Sequence, residues 1–270
     1  MFWIEAVREL SEKLDEPFAL EFVWRNLHEL NKLAWLNLMR QNISSEELSA
    51  LTAIAERLAL HEPPQYIVGW AEFCDLRFKV DSRVLIPRPE TQELVELILK
   101  ENSEKNLRLL DIGTGSAAIA VSLAKRRTGW KISASDISAE ALDVAYENVQ
   151  KNETTVELVL SDLLENIPDK FDIIVSNPPY ISRKDRSEVD ISVLQNEPEN
   201  ALFAENDGLA IYEKLAQQLP SALAENGKIY LEIGYKQGKT VKSLFESAFP
   251  EKMVTVHKDF AGKDRMVSVK

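Results

Sequence analysis

The residues best equipped for chemistry in this chain sit in one short run. Asn177-Pro178-Pro179-Tyr180 directly follows the apolar stretch "FDIIVS". A proline after Asn177 holds that residue in extended backbone. Neither proline has an N–H, and their fixed φ leaves carbonyls pointing outward. The run thus offers two rigid acceptors, the Asn177 side-chain oxygen and the Pro178 carbonyl, with the Tyr180 ring as a flat wall. A planar NH2 group suits such a site, because each acceptor takes one N–H and the ring stacks on the plane. The nitrogen lone pair is then free to be aimed at a neighbouring electrophile. An amide nitrogen is a poor nucleophile because its lone pair is delocalised, so orientation and near-attack distance must supply much of the acceleration. Asn177 is no general base; its expected work is alignment.

The electrophile has to come from a neighbour. "LLDIGTGSAAIAVSLA" places Gly113 and Gly115 between a strand-like run and a helical one. The first glycine allows a tight turn and the second lets backbone approach a ligand closely. Asp136 ends the next strand-like run, about 20 positions on, where an acid takes ribose hydroxyls. Asp162 ends the one after. Asp111, Asp136 and Asp162 therefore fall near the C-terminal ends of successive strands, where open α/β sheets bind ligands. S-adenosylmethionine (SAM), which carries a methyl on a positive sulfur, is one cofactor that fits. Gly113-x-Gly115-x-x-Ala118 also satisfies the dinucleotide fingerprint, so NAD stays open at this level. The bland alternative is a tight turn with solvated or capping acids.

"GYKQGKT", Gly234 to Thr240, imitates a phosphate loop but has one residue too few between its glycines. Gly238 is expected in a helix or turn. His28, His61 and His257 are scattered, and no Cys/His cluster has metal-ligand spacing, so no metal is expected.

These residues need elements to position them. From Leu107 onward, strand-like runs ("LRLLDIG", "KISASDI", "VELVLSD", "FDIIVSN", "GKIYLEIG") alternate with helical stretches. That is the pattern of a doubly wound, Rossmann-like α/β sheet. "MVTVHKDF", "AGKD" and "RMVSVK" read as strand, turn and strand, a C-terminal antiparallel hairpin. Residues 88–270 are expected to form this domain. Residues 1–62 read as a small N-terminal helical bundle. One face carries Trp3, Ile4, Val7, Leu10 and Leu14; a second stripe carries Leu20, Val23, Trp24, Leu27, Leu30 and Leu33. Ser44 and Glu47 form a capping box ahead of Leu48, Leu51, Ile54 and Leu58. Between the two domains, residues 63–87 break at Pro63 and Pro64 and read as a β-hairpin linker built from "QYIVGWAEF" and "LRFKVDSRVLIP".

The totals bound the rest. The chain has 270 residues, 45% hydrophobic and 28% charged, as expected of a globular protein with a substantial core. A formal net charge of −12 disfavours broad binding to nucleic-acid backbones. One cysteine, Cys74, allows no internal disulfide and fits a reducing, cytoplasmic compartment. "MFWIEAVREL" lacks the pattern of a signal peptide. No uncharged apolar run reaches membrane-spanning length.

At this point the sequence resembles a known family, the peptide chain release factor glutamine methyltransferases (the HemK/PrmC family). The likeness extends past "NPPYI" to "QYIVGWAEF", "VLIPRPETQELVE", "DIGTGSAAIA", "EPENALFAENDGL", "LEIGYKQG" and "KDFAGKDRMV", together spanning roughly residues 60–270. The resemblance implies a SAM-dependent methyltransferase that releases S-adenosylhomocysteine. Its substrate is the glutamine of the Gly-Gly-Gln motif in class I release factors, methylated on the side-chain amide nitrogen. It implies that Gly113, Thr114, Gly115, Ser116 and Ala117 line the methionine end of SAM. Asp136 would hold the ribose, with Asp162 and Leu163 beside the adenine. Asn177, Pro178, Pro179 and Tyr180 would bind the glutamine amide, and Asn177 would also touch the cofactor. Arg88 and Glu90 would order a lid. The helical N-terminus would dock the protein substrate, and the enzyme would work as a monomer without nucleic acid or membrane. The family usually has glycine where Ala117 stands and often an aromatic where Leu163 stands.

The rival readings are an exocyclic-amine DNA or RNA methyltransferase, which shares "NPPY", an NAD-dependent oxidoreductase, which leaves "NPPY" unexplained, and a non-enzymatic SAM-binding scaffold.

Overall fold

A computed structural model describes residues 1–270 as two compact units. One comprises Met1–Trp70 with Val189–Glu197; the other comprises Ala71–Glu188 with Pro198–Lys270. The first unit therefore runs past residue 62 and recruits a later segment that nothing in the local sequence marks.

The first unit is helical: α1 (Trp3–Ser11), α2 (Phe18–Leu27), α3 (Lys32–Leu38), α4 (Ser45–Ala59) and α5 (Pro64–Val68). Trp3, Leu20, Val23, Trp24, Trp35 and Leu51 form its core. The Trp3 ring meets Trp24 edge-on at 4.8 Å. Ser44 and Glu47 make the expected capping box at the start of α4. The two apolar stripes are narrower than the sequence suggests, since Ile4, Leu27 and Leu33 remain exposed. "QYIV" is helical, where a strand was expected. Pro64 at the first position pre-sets the helical φ, and Gly69 ends the turn at φ 78°. Within this unit Asn196 donates to the His61 carbonyl at 2.9 Å, tying in the late segment.

The second unit begins at Ala71, within the hairpin of β1 (Trp70–Phe73) and β2 (Leu76–Lys79). Its two turn residues, Cys74 and Asp75, both have positive φ, as a tight hairpin turn requires. There follow α6 (Pro89–Glu101), β3 (Arg108–Ile112), α7 (Ala118–Arg126), β4 (Lys131–Asp136), α8 (Ala139–Lys151), β5 (Glu157–Leu160) and β6 (Phe171–Ser176). After β6 come the short β7 (Ile181–Ser182), α9 (Ile191–Asn196) of the first unit, α10 (Glu199–Leu202), β8 (Phe203–Ala204) and the one-turn α11 (Glu205–Gly208). The chain closes with α12 (Ala210–Ala222), β9 (Leu223–Glu232), α13 (Gly238–Ala248), β10 (Val254–Lys258) and β11 (Asp264–Val269).

The main sheet has the order β10-β11-β9-β6-β3-β4-β5. β5, β4, β3, β6 and β9 run parallel, and β11 and β10 are antiparallel, giving the expected C-terminal hairpin. Strands buried on both faces read as continuous apolar runs. Leu109, Ile173 and Val175 pack into one core, while Leu110, Ile112 and Ile174 pack into the other. Burying each such side chain stabilises by about 1.5–3 kcal/mol. The chain steps outward from β3 to β4 and β5, then returns to β6 on the other side of β3. The ends of β3 and β6 are thus neighbours at the switch point of the sheet, with Ile112 paired to Ser176.

Candidate active site

The glycine loop leaves β3, and Asn-Pro-Pro-Tyr leaves β6. Their adjacency is therefore set by the parallel register, and both border one cavity of about 840 Å3. Gly113 and Gly115 have φ of +71° and +54°, and a Cβ built on either would meet nothing within 4 Å. Their backbone faces open space, as a cradle for a ligand should. Thr114 and Ser116 line the same wall. Ala117 does not line the cavity; it is buried beneath the loop as the N-cap of α7, with φ 61°. A non-glycine residue in left-handed backbone costs about 1–2 kcal/mol, which explains a preference for glycine at this position.

Asp136 lines the cavity at the end of β4. One of its carboxylate oxygens accepts the Gly115 N–H at 2.8 Å, and the other accepts the Ser138 N–H at 2.9 Å. The carboxylate therefore fastens the glycine loop, a structural duty that the spacing alone did not reveal. Burial holds its pKa above the ordinary carboxylate value, against these backbone hydrogen bonds, which lower it. Asp162 and Leu163 also line the cavity, two and three residues beyond the end of β5 rather than on the strand. Leu163 takes φ 50°. Asp111 is buried below the loop, accepts the Thr114 hydroxyl at 2.7 Å, and is pushed up to about 7 by burial.

Asn177, Pro178 and Pro179 also line the cavity, and Arg88 borders it as the N-cap residue of α6. Glu90, one turn into α6, does not line it. Tyr180 departs further from expectation. Its ring forms no part of the cavity wall; its hydroxyl instead donates to a Glu232 carboxylate oxygen at 3.3 Å. Its backbone carbonyl accepts from Gln237 at 3.0 Å. Desolvation raises the phenol's pKa, with the Glu232 charge adding to the effect.

Two residues not singled out from the sequence complete the site. The Asn177 amide N–H donates to the Thr91 hydroxyl at 3.1 Å, and that hydroxyl donates to Glu232 at 2.6 Å. Tyr212 donates to the Glu232 backbone carbonyl at 2.7 Å. Glu232 ends β9, directly after the buried Ile229, Tyr230 and Leu231, and is 1% exposed. Desolvation pushes its pKa up to about 7, against the Thr91 hydrogen bond, the Arg265 charge and the Tyr180 hydrogen bond, which lower it. A charged residue closing the apolar run Ile229-Tyr230-Leu231 is the signal that points to it.

The donor set fits SAM. Open glycine backbone, the Asp136 carboxylate, and the apolar Ile119, Ile137 and Leu163 offer partners for an amino-acid end, a ribose and an adenine respectively. Nothing in "GYKQGKT" cradles phosphate: Gly238 starts α13, and a Cβ there would collide with the Asp264 carboxylate. No group of acidic, His or Cys side chains is arranged to hold a metal ion.

Compared with known proteins, residues 3–69 match the PrmC N-terminal domain family and residues 89–205 match the Methyltransferase small domain family. The solved structure of a methyltransferase from Pyrococcus furiosus superposes with a TM-score of 0.53 at 20% identity, covering 71% of this chain and 86% of that one, a likeness of fold. The release factor glutamine methyltransferase of Streptococcus pneumoniae is 52% identical, over 97% of this chain and 94% of its own. That of Lactococcus lactis is 62% identical over the full length of both. On this likeness, the chain belongs to the release factor glutamine methyltransferase family.

Proposed function

We propose that this enzyme transfers a methyl group from SAM to the side-chain amide nitrogen of the glutamine in the Gly-Gly-Gln motif of class I peptide chain release factors. The observation that carries the reading is the juxtaposition of Asn177-Pro178 with the Gly113–Gly115 loop on paired strands, around one cavity.

Gly113, Thr114, Gly115 and Ser116 hold the methionine end of the cofactor, Asp136 the ribose, and Asp162 and Leu163 the adenine. When bound, SAM supplies an electrophilic methyl on a positive sulfur and leaves as S-adenosylhomocysteine. The Asn177 side-chain oxygen and the Pro178 carbonyl accept the two N–H bonds of the substrate amide. This fixes its plane and turns the nitrogen lone pair toward the methyl. The nitrogen would gain its bond to the methyl carbon as the carbon–sulfur bond breaks, and would then pass its extra proton to solvent. Pro179 stiffens the acceptor pair, Tyr180 supports it from behind, and Arg88, with Glu90, orders the rim. The helical unit docks the release factor, and the enzyme acts as a monomer in the reducing cytoplasm. No helix is long and apolar enough to cross a membrane.

Nucleic acid as substrate would use the same acceptor pair, but the net charge of −12 and the PrmC-type N-terminal domain disfavour it. The test is transfer of labelled methyl from SAM to a purified release factor, beside a transfer RNA and a DNA duplex. Label in the protein alone supports the reading; label in nucleic acid alone overturns it.

A further inference from the structure

The reading above assigns Asn177 an alignment task that depends on which way its amide faces. A side-chain amide is nearly symmetric in shape, and only its partners decide whether oxygen or NH2 meets the substrate. The protein must therefore hold the NH2 group away from the cavity.

The partners form a directed chain. Glu232 is buried and, when ionised, can only accept hydrogen bonds. It receives the Thr91 hydroxyl proton at 2.6 Å and the Tyr180 hydroxyl proton at 3.3 Å. Thr91 is itself 4% exposed. Having spent its single proton on Glu232, Thr91 presents only lone pairs to Asn177. It then binds the NH2 end, at 3.1 Å, and Asn177 Oδ1 is left for the cavity that Asn177 lines. If Glu232 takes up a proton, the carboxyl can donate to Thr91, the Thr91 proton is released, and either end of the Asn177 amide satisfies it.

We propose, resting on that reading, that Glu232 is a positioning residue for methyl transfer. Acting through Thr91, its carboxylate fixes the Asn177 amide with oxygen toward the substrate, and its other oxygen braces Tyr180. This gives a buried charge a reason to persist. Its ionised form is the less stable one in this apolar setting, and its benefit falls on alignment.

The charged and titratable groups around Glu232 are few. Arg265 of β11 favours the ionised form and is itself paired to Asp259 at 3.2 Å. Glu90, at the start of α6, opposes it. Tyr180 and Tyr212 stay protonated at working pH, both raised by burial. Arg88 acts on Tyr180 from the N-cap of α6. Asp111 titrates in the same range as Glu232, near 7, so a variant must separate them.

The experiment is steady-state methyl transfer to a purified release factor across pH, with the wild type, Glu232→Gln, Thr91→Val and Thr91→Ser. Thermal melts confirm folding, and calorimetry measures SAM affinity. In the wild type kcat should rise with pH through about 7. Glu232→Gln should lose that limb, because one face of its amide is NH2 and no proton can be removed. Glu232→Gln and Thr91→Val should lower kcat roughly 10- to 100-fold at pH 8, the loss of one hydrogen bond to a charged group. KM values and SAM affinity should move little, and Thr91→Ser should restore most of kcat. An acid limb unchanged in Glu232→Gln would overturn the inference and assign the titration to another group, as would full activity in Thr91→Val. A wild type that methylates no release factor would overturn the proposed function itself, and the inference with it.

Discussion

The Asn177 side chain donates to the Thr91 hydroxyl at 3.1 Å, although the two stand 86 positions apart. One belongs to the turn after β6, the other to the first turn of α6. The Asn-Pro-Pro-Tyr turn is therefore positioned by a helix that enters the domain before its first parallel strand. Five expectations follow from this arrangement and the fold around it.

Removing the Asp136 carboxylate takes away both the acceptor proposed for the ribose and the anchor of the Gly115 N–H. Asp136→Ala should weaken SAM binding by about 1.5–3 kcal/mol, roughly 10- to 100-fold in Kd. Isothermal calorimetry reads this directly, and an unchanged Kd would count against the assignment.

Glu232 should leave a pH signature in stability as well as in rate. Its pKa rises from 4.5 in the unfolded chain to about 7 in the fold, so the folded state binds the extra proton between those values. Stability due to this group is then lost as pH rises through that window, and the loss levels off above 7. Glu232→Gln stays neutral throughout. Relative to the wild type it should gain on the order of 3 kcal/mol between pH 4.5 and pH 7. Denaturant unfolding of both proteins at a series of pH values checks the slope; parallel curves would refute it.

Gly208 has φ +81°, and a Cβ there would overlap the Tyr180 carbonyl oxygen. Gly208→Ala must strain the backbone or push away the turn that carries Tyr180. A loss of about 3 kcal/mol is expected. A chemical melt indistinguishable from that of the wild type would show that the turn yields freely.

The helical unit keeps Phe18 and Leu33 exposed, at 85% and 68%. If it docks the release factor through apolar contacts, Phe18→Ser with Leu33→Ser should raise KM for the intact factor roughly tenfold. The same pair should leave KM for a short Gly-Gly-Gln peptide unchanged. Equal KM values for the intact factor would remove this unit's exposed apolar residues from substrate binding.

Much of this was legible in the sequence, for identifiable reasons. Strands buried on both faces announce themselves as apolar runs, so the alternation from Leu107 onward gave the sheet. The glycine loop, Asp136 and Asn177-Pro178 are local motifs whose geometry is set by residue type. Thr91 and Glu232 were not assigned a role because their pairing exists only in three dimensions, 141 positions apart. "QYIV" carries strand-forming side chains, yet Pro64 and Gly69 close it into one helical segment. Tyr180 reads as a stacking wall from its neighbours in sequence, while a buried carboxylate behind it draws the hydroxyl away from the cavity. The return of Val189–Glu197 to the N-terminal unit has no local signature, because it depends on partners such as His61 far upstream.

The most direct test is tandem mass spectrometry of a purified class I release factor after incubation with SAM and either the wild-type enzyme or Asn177→Ala, with SAM affinity of both measured in parallel. A single added methyl on the Gly-Gly-Gln glutamine, nearly absent with Asn177→Ala despite intact SAM binding, is the expected result. A methyl on any other residue, or the same yield from Asn177→Ala, would contradict the central claim that this turn aligns a glutamine amide for transfer.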